Sequence, residues 1–188
     1  METLRSFIAI ELLPPVFQAL FRLQADLKPY SSPGVKWVDP KGIHLTLKFL
    51  GGVSADRMER VSAALDRLAG TVRPFSLQVS GLGIFPDARR PRVAWVGLGG
   101  DVPQVVQLQQ DIDSALAPLG FGREDRPFVP HLTVARLRED MPPQERQGFG
   151  QRFLKAEMEP LAPFRVESLN LMKSQLTPKG AIYSALGK

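Results

Sequence analysis

The sequence predicts an α+β protein, because strand-period and helix-period segments alternate along the chain while several strands fall into hairpins rather than strand–helix–strand crossovers. Its 16 glycines and 17 prolines are spread as punctuation between short periodic segments, which points to many short elements. Leu4 to Ile10 reads as a strand. Pro14 to Leu27 reads as a helix with Val16, Leu20, Leu23 and Leu27 on one face. Val35–Val38 and Ile43–Leu50 read as strands. Ser54 is the expected N-cap of a helix with the stripe Met58, Val61, Leu65 and Leu68, and Gly70 its stop. Phe75 to Ile84 pairs with Val93 to Leu98 as a hairpin across a turn holding Pro86, Asp87 and Pro91. A third helix is expected near Pro103–Leu119 with Val106, Ile112, Leu116 and Leu119 inward, followed by a strand beginning at His131. Arg138 to Arg152 reads as a surface loop with a short helix, and Phe164–Met172 with Ala181–Leu186 as a closing strand pair. Gly81-Leu82-Gly83 and Gly97-Leu98-Gly99-Gly100 lack a phosphate-loop lysine and a dinucleotide fingerprint, and are read as turns.

With 188 residues, 44% hydrophobic and 23% charged, the chain can bury a core without a metal or covalent staple, and no linker divides it, so residues 1–188 are expected to form one domain. No apolar run approaches the length of a membrane span, and the stretch Phe7–Ile10 is too short for a signal peptide; a soluble, cytoplasmic, monomeric protein is expected. The absence of cysteine excludes disulfides, thiolate metal sites and cysteine nucleophiles. A net charge of +5 favours an anionic partner such as nucleic acid or a phosphorylated small molecule.

The chain has two histidines, and both open the same frame: His44-Leu45-Thr46-Leu47 and His131-Leu132-Thr133-Val134. On a strand, i and i+2 share a face, so each frame turns its leucine toward a core and its His/Thr pair to the opposite side. Two imidazoles in one cleft suit acid–base chemistry, since a neutral ring takes a proton from a nucleophile while a protonated one gives a proton to a leaving group. The threonine hydroxyls are neutral donors able to hold non-bridging phosphate oxygens. Zinc would need carboxylates beside the imidazoles, and neither frame has an Asp or Glu within three residues; no metal and no cofactor is expected.

The paired frames resemble the two-histidine phosphoesterase superfamily, and within it the bacterial and archaeal RNA 2′,3′-cyclic phosphodiesterases, historically called 2′-5′ RNA ligases. The resemblance extends over the first strand (Phe7-Ile8-Ala9-Ile10-Glu11), Trp37 to Gly52 (WVDPKGIHLTLKFLGG), Arg126 to Leu137 (RPFVPHLTVARL) and Ser168 to Tyr183. It implies a bilobal α+β fold whose two pseudo-symmetric lobes, with antiparallel or mixed sheets flanked by helices, enclose a central cleft. It also implies metal-independent hydrolysis of a terminal 2′,3′-cyclic phosphate to a 2′-phosphate. By position, His44 becomes the proton donor to the leaving 3′ oxygen, His131 the proton acceptor from water, Thr46 and Thr133 the phosphate holders, and Arg136 a phosphate contact. The implied partner is RNA with cyclic phosphate ends, tRNA fragments among the candidates. Joining ends in the reverse direction, a small cyclic nucleotide as substrate, and an RNA-end-binding module without turnover are the alternatives.

Arg136 and Phe49 each lie five residues past a histidine, an odd offset that turns a side chain away from the imidazole in a regular strand. Arg136 therefore reaches a cleft only through a bulge or at a strand end. Phe49 is expected in the core, with base stacking as its other use, and Lys48 at a solvated rim. Lys41, Arg89, Arg90, Arg92, Arg123 and Arg126 read as solvated cations, and Trp37 and Trp95 as packing residues.

Overall fold

A computed structural model describes residues 3–159, 161–177 and 180–187. In chain order the elements are β1 (Thr3–Ile10), α1 (Pro14–Leu27), β2 (Val35–Trp37), β3 (Leu45–Ser54), α2 (Ala55–Ala69), β4 (Phe75–Phe85), β5 (Val93–Gly100), α3 (Val102–Leu116), β6 (His131–Leu137), α4 (Pro143–Leu154), β7 (Phe164–Val166), β8 (Asn170–Thr177) and β9 (Gly180–Gly187). They form two sheets, ordered β3-β1-β8-β9 and β2-β6-β5-β4-β7, in which every pairing is antiparallel. The α+β class holds, and two sheets with their helices make the two lobes.

Helices cross between the lobes. α1 leaves the first sheet after β1 and lays Gln24 against the second, where its side-chain amide donates to Val38 O (2.7 Å) and Val134 O (3.1 Å). α3 leaves the second sheet after β5 and presents Asp113 to Lys48 of β3 in the first. Apolar residues of both sheets, among them Ile8, Leu45, Leu77 and Leu132, consequently join one contiguous core cluster. Burying each such side chain contributes about 1.5–3 kcal/mol.

The expected inward residues of α1 are all buried. α2 buries Val61 and Leu65 with Ala64, while Met58 and Leu68 are half-buried at its flanks. α3 is rotated from the expectation: Val105 and Leu108 are buried with Ile112 and Leu116, Val106 is half-buried, and Ala117–Leu119 is a 3₁₀ turn. Arg138–Arg152 is more than a surface loop, because α4 packs Phe149 and Phe153 inward. Its Gly150 lies so close to the β4–β5 turn that a Cβ would stand 2.8 Å from the Pro91 ring. The closing pair also differs. Phe164–Val166 joins β4 in the second sheet, whereas Asn170–Thr177 pairs with β9, so the segment read as one strand serves two sheets. Both glycine clusters lie inside strands β4 and β5 rather than in turns. Gly81 (φ +76°) sits at a bulge in the β4–β5 ladder, and a Cβ on Gly83 would fall 2.0 Å from the Trp95 ring.

Each motif strand carries a bulge at the same place. In the β1–β3 ladder Ala9 opposes Thr46 but Ile8 opposes Lys48, skipping Leu47; in the β5–β6 ladder Trp95 opposes Thr133 but Ala94 opposes Ala135, skipping Val134. Beyond the bulge the faces exchange. Lys48 and Ala135 turn inward, and Phe49 and Arg136 turn outward, so the expectations of a rim lysine and a core phenylalanine are both reversed. Lys48 is 3% exposed and donates to Asp113 and to Gly122 O (2.6 Å), while Gln109 supplies a further bond to Asp113 at 3.0 Å. Removing one member of such a pair leaves the other charge buried and uncompensated. Asp113→Ala is expected to lose about 3–5 kcal/mol of stability in urea denaturation, and the double replacement Lys48→Met/Asp113→Leu to recover most of that loss. A loss under about 1 kcal/mol for Asp113→Ala would show that the pair is solvated.

Candidate active site

His44 follows a 3₁₀ turn, Pro40–Gly42, in which Asp39 accepts a hydrogen bond from Lys41 N, and it stands immediately before β3; His131 is the first residue of β6. In both, ring Nδ1 lies against the carbonyl two residues upstream, Gly42 O at 2.8 Å and Val129 O at 2.7 Å. A carbonyl can only accept, so Nδ1 carries the proton in each neutral ring and Nε2 carries the lone pair. The local turn thus sets the tautomer twice over, and Nε2 is the atom each ring offers to chemistry.

Aromatic rings hold both imidazoles. Phe7 stacks on His44 with centroids 4.6 Å apart and Tyr183 meets it edge-on at 4.8 Å, while Phe85 meets His131 edge-on at 4.9 Å and Trp95 lies 6.1 Å away. Burial disfavours the imidazolium form, so both pKa values are held below the ordinary 6.5; the Arg136 charge depresses His131 further. The hydrogen bonds to the two carbonyls oppose this shift without overcoming it.

His44, Thr46, His131, Thr133 and Arg136, the five residues singled out from the sequence, all line one cavity of about 1210 Å³. Neither threonine hydroxyl is engaged by a protein group among the described residues, which leaves both free to donate into the cavity. The lining also includes Arg5, Arg92 and Arg126 against a single acidic side chain, Glu124, so the cavity is strongly positive. Phe49, 65% exposed, lies on its wall with Phe85, Phe128 and Tyr183. Arg92 and Arg126 therefore belong to the site, whereas Lys41, Arg89, Arg90 and Arg123 are not among its lining residues. Arg5 and Phe85 are additions to the sequence-derived set; the strand period points to Arg5, which shares the β1 face of Phe7, but nothing local marks Phe85. Trp37 packs edge-on against Phe149 (5.8 Å), and Trp95 lies over Gly83 beneath His131, so both are packing residues as expected. Among the described residues no three His, Asp or Glu side chains come together as a metal-binding group, and no helix is long and apolar enough to cross a membrane.

Two Nε2 atoms, two free hydroxyls and an arginine cluster in one cleft define a site built for a phosphate ester. The LigT-like phosphoesterase family model matches the chain twice, over residues 10–95 and 100–183, one histidine frame in each half. The chain belongs to this family. It is 34% identical over 182 residues to the RNA 2′,3′-cyclic phosphodiesterase of Methanothermobacter thermautotrophicus, covering 96% of this chain and 95% of that protein. It is 32% identical to the RNA 2′,3′-cyclic phosphodiesterase of Archaeoglobus fulgidus, covering 97% and 98%. Among solved structures, a protein of Thermus thermophilus superposes with a TM-score of 0.80 at 28% identity over 97% of this chain and 95% of its own. The E. coli LigT complex with 3′-AMP superposes at 0.74 and 27% over 99% and 97%.

Because the chain has only two histidines, proton NMR resolves both rings without labelling. Both are expected to titrate below 6.5, and Arg136→Gln is expected to raise the His131 midpoint while leaving His44 in place. A His131 midpoint unmoved by that substitution would contradict the placement of Arg136.

Proposed function

We propose that this protein hydrolyses the terminal 2′,3′-cyclic phosphate of RNA to a 2′-phosphate, using His44 and His131 as a metal-independent acid–base pair. The observation that carries the reading is the repeated Nδ1-to-carbonyl hydrogen bond, which gives both imidazoles an available Nε2 in a single positive cleft. Full-length similarity to proteins named RNA 2′,3′-cyclic phosphodiesterase supports the substrate class.

In the proposed step, neutral His131 takes a proton from water at Nε2 as the water oxygen forms a bond to phosphorus. The bond from phosphorus to O3′ breaks, and protonated His44 delivers its Nε2 proton to O3′. The product keeps its phosphate on O2′; exchange with solvent returns the proton from His131 and reloads His44. Electrostatics supports this division of roles: burial lowers both pKa values, and the Arg136 charge adds to that lowering at His131, which favours His131 as the neutral base. Thr46 and Thr133 donate to the non-bridging oxygens, where negative charge concentrates as the five-coordinate phosphorus forms, and Arg136 adds a positive charge beside them. On this reading the lobes act together as a monomeric single domain in the cytoplasm, with tRNA fragments among the RNAs it processes. The same acid and base also serve ligation, in which a 5′-hydroxyl takes the place of water, its oxygen bonds to phosphorus as the bond to O3′ breaks, and two ends are joined through a 2′-5′ linkage.

The test is product analysis of a short RNA ending in 2′,3′-cyclic phosphate, incubated in excess chelator. The expected product gains one water and carries a 2′-phosphate. His44→Ala and His131→Ala each reduce kcat/KM by about 10²–10⁴-fold, and Thr46→Val or Thr133→Val by about 10²-fold. A 3′-phosphate product or loss of turnover on chelation would overturn the mechanism. RNA bound but unchanged would favour a binding module, and turnover of mononucleotides alone would favour a small cyclic nucleotide substrate.

A further inference from the structure

Arg136 stands between two concavities. One is the histidine cleft; the other is a hollow of about 410 Å³ lined by Lys36, Leu137, Arg138, Glu139 and Asp140 together with Arg136 itself. Across β5, β6 and β2, Arg136 is flanked by Val93, which lines the cleft, and by Lys36, which lines the hollow. Directly opposed residues of antiparallel strands project from one face with Cβ atoms about 4.5–5.5 Å apart, and like charges so placed repel. Lys36 and Arg136 are such a pair. Both carboxylates of the hollow are drawn to other arginines: Asp140 accepts from Arg138 (2.9 Å), and Glu139 lies 3.6 Å from Arg92. Among the described residues neither Lys36 nor Arg136 has a carboxylate within ion-pair distance. Two opposed, exposed cations, neither held in an ion pair and one of them lining the catalytic cleft as well, form a site that an anion from outside would complete.

We infer that Lys36 binds a backbone phosphate of the RNA upstream of the cyclic end, so that the strand leaves the cleft over Arg136 and along β2. This rests on the cyclic phosphodiesterase reading and deepens it. The preferred substrate is then an oligonucleotide rather than a mononucleoside 2′,3′-cyclic phosphate, because only the oligonucleotide carries the phosphodiester that Lys36 meets. Lys36 acts in binding and does not touch the reacting phosphorus.

The experiment compares kcat/KM for a short RNA ending in 2′,3′-cyclic phosphate with that for the mononucleoside 2′,3′-cyclic phosphate, in wild type, Lys36→Ala and Lys36→Arg. Arg60→Ala, an exposed charge on α2 remote from the cleft, controls for net charge. Wild type should favour the oligonucleotide, and Lys36→Ala should lower that preference about fivefold, the scale of one exposed ion pair. It should also reduce the salt slope for the oligonucleotide by about 0.7. Lys36→Arg should restore the preference, and Arg60→Ala should leave it alone. An RNA whose backbone linkages upstream of the cyclic end are neutral methylphosphonates should lose the same factor in wild type and nothing further in Lys36→Ala. An unchanged preference in Lys36→Ala, or an equal loss on both substrates, would overturn the phosphate site while leaving the hydrolytic reading intact. Hydrolysis of neither substrate by wild type would instead remove the hydrolytic reading, and this inference with it.

Discussion

Strand parity is the constraint on which the site depends. A regular strand would send a residue five places past a histidine to the far face, and here that would bury a charged arginine in the core at a cost of several kcal/mol. One extra residue in each motif strand, Leu47 or Val134, cancels the parity after the threonine. The histidine and threonine keep their face, and the position two places beyond the bulge joins them. Bulges disrupt the ladder locally, and beside each of these a helix from the opposite lobe places a polar side chain. The Gln24 amide reaches Val134 O on one side; Lys48, turned inward, is met by Asp113 and reaches Gly122 O in the segment that leads toward His131. The crossing of α1 and α3 is thus tied to the placement of the chemistry.

The two halves share a backbone plan and differ in side chains. The equivalent positions past the bulges hold Phe49 in one lobe and Arg136 in the other, so one side of the cleft gains an aromatic wall and the other a cation that acts on His131. A pseudo-symmetric cleft needs some such difference if it is to distinguish the two oxygens of a cyclic phosphate. Desolvation by the flanking rings favours neutral imidazoles at both sites; the arginine biases one of them further toward the base.

Much of this is legible in the sequence because the relevant signals are local. The apolar stripe of α1, the β4–β5 hairpin and the shared frame around both histidines depend on periods of two or about four residues, and the structure keeps all three. Arg136 is legible only as a condition: it can serve the cleft if a bulge intervenes. Lys48 and Phe49 depart from expectation for the same reason, since the parity argument is sound and the bulge that reverses it is set by pairing with β1, which lies far away in sequence. The glycine clusters resemble turns in the sequence because their purpose is tertiary: Gly83 makes room for the Trp95 ring, and that contact has no signature in the neighbouring residues. The split of Phe164–Met172 between two sheets is likewise a matter of topology.

The most direct test of paired-imidazole catalysis is the pH dependence of kcat/KM on RNA with a cyclic phosphate end, measured in chelator for wild type and for each histidine-to-alanine variant. A bell-shaped profile is predicted for wild type, falling at low pH as His131 is protonated and at high pH as His44 loses its proton, with both limbs displaced toward acid by burial. Residual activity of His131→Ala should lack the acid limb, and that of His44→Ala the alkaline limb. Variants that each retain the full bell would contradict the assignment of the acid and the base to these two residues.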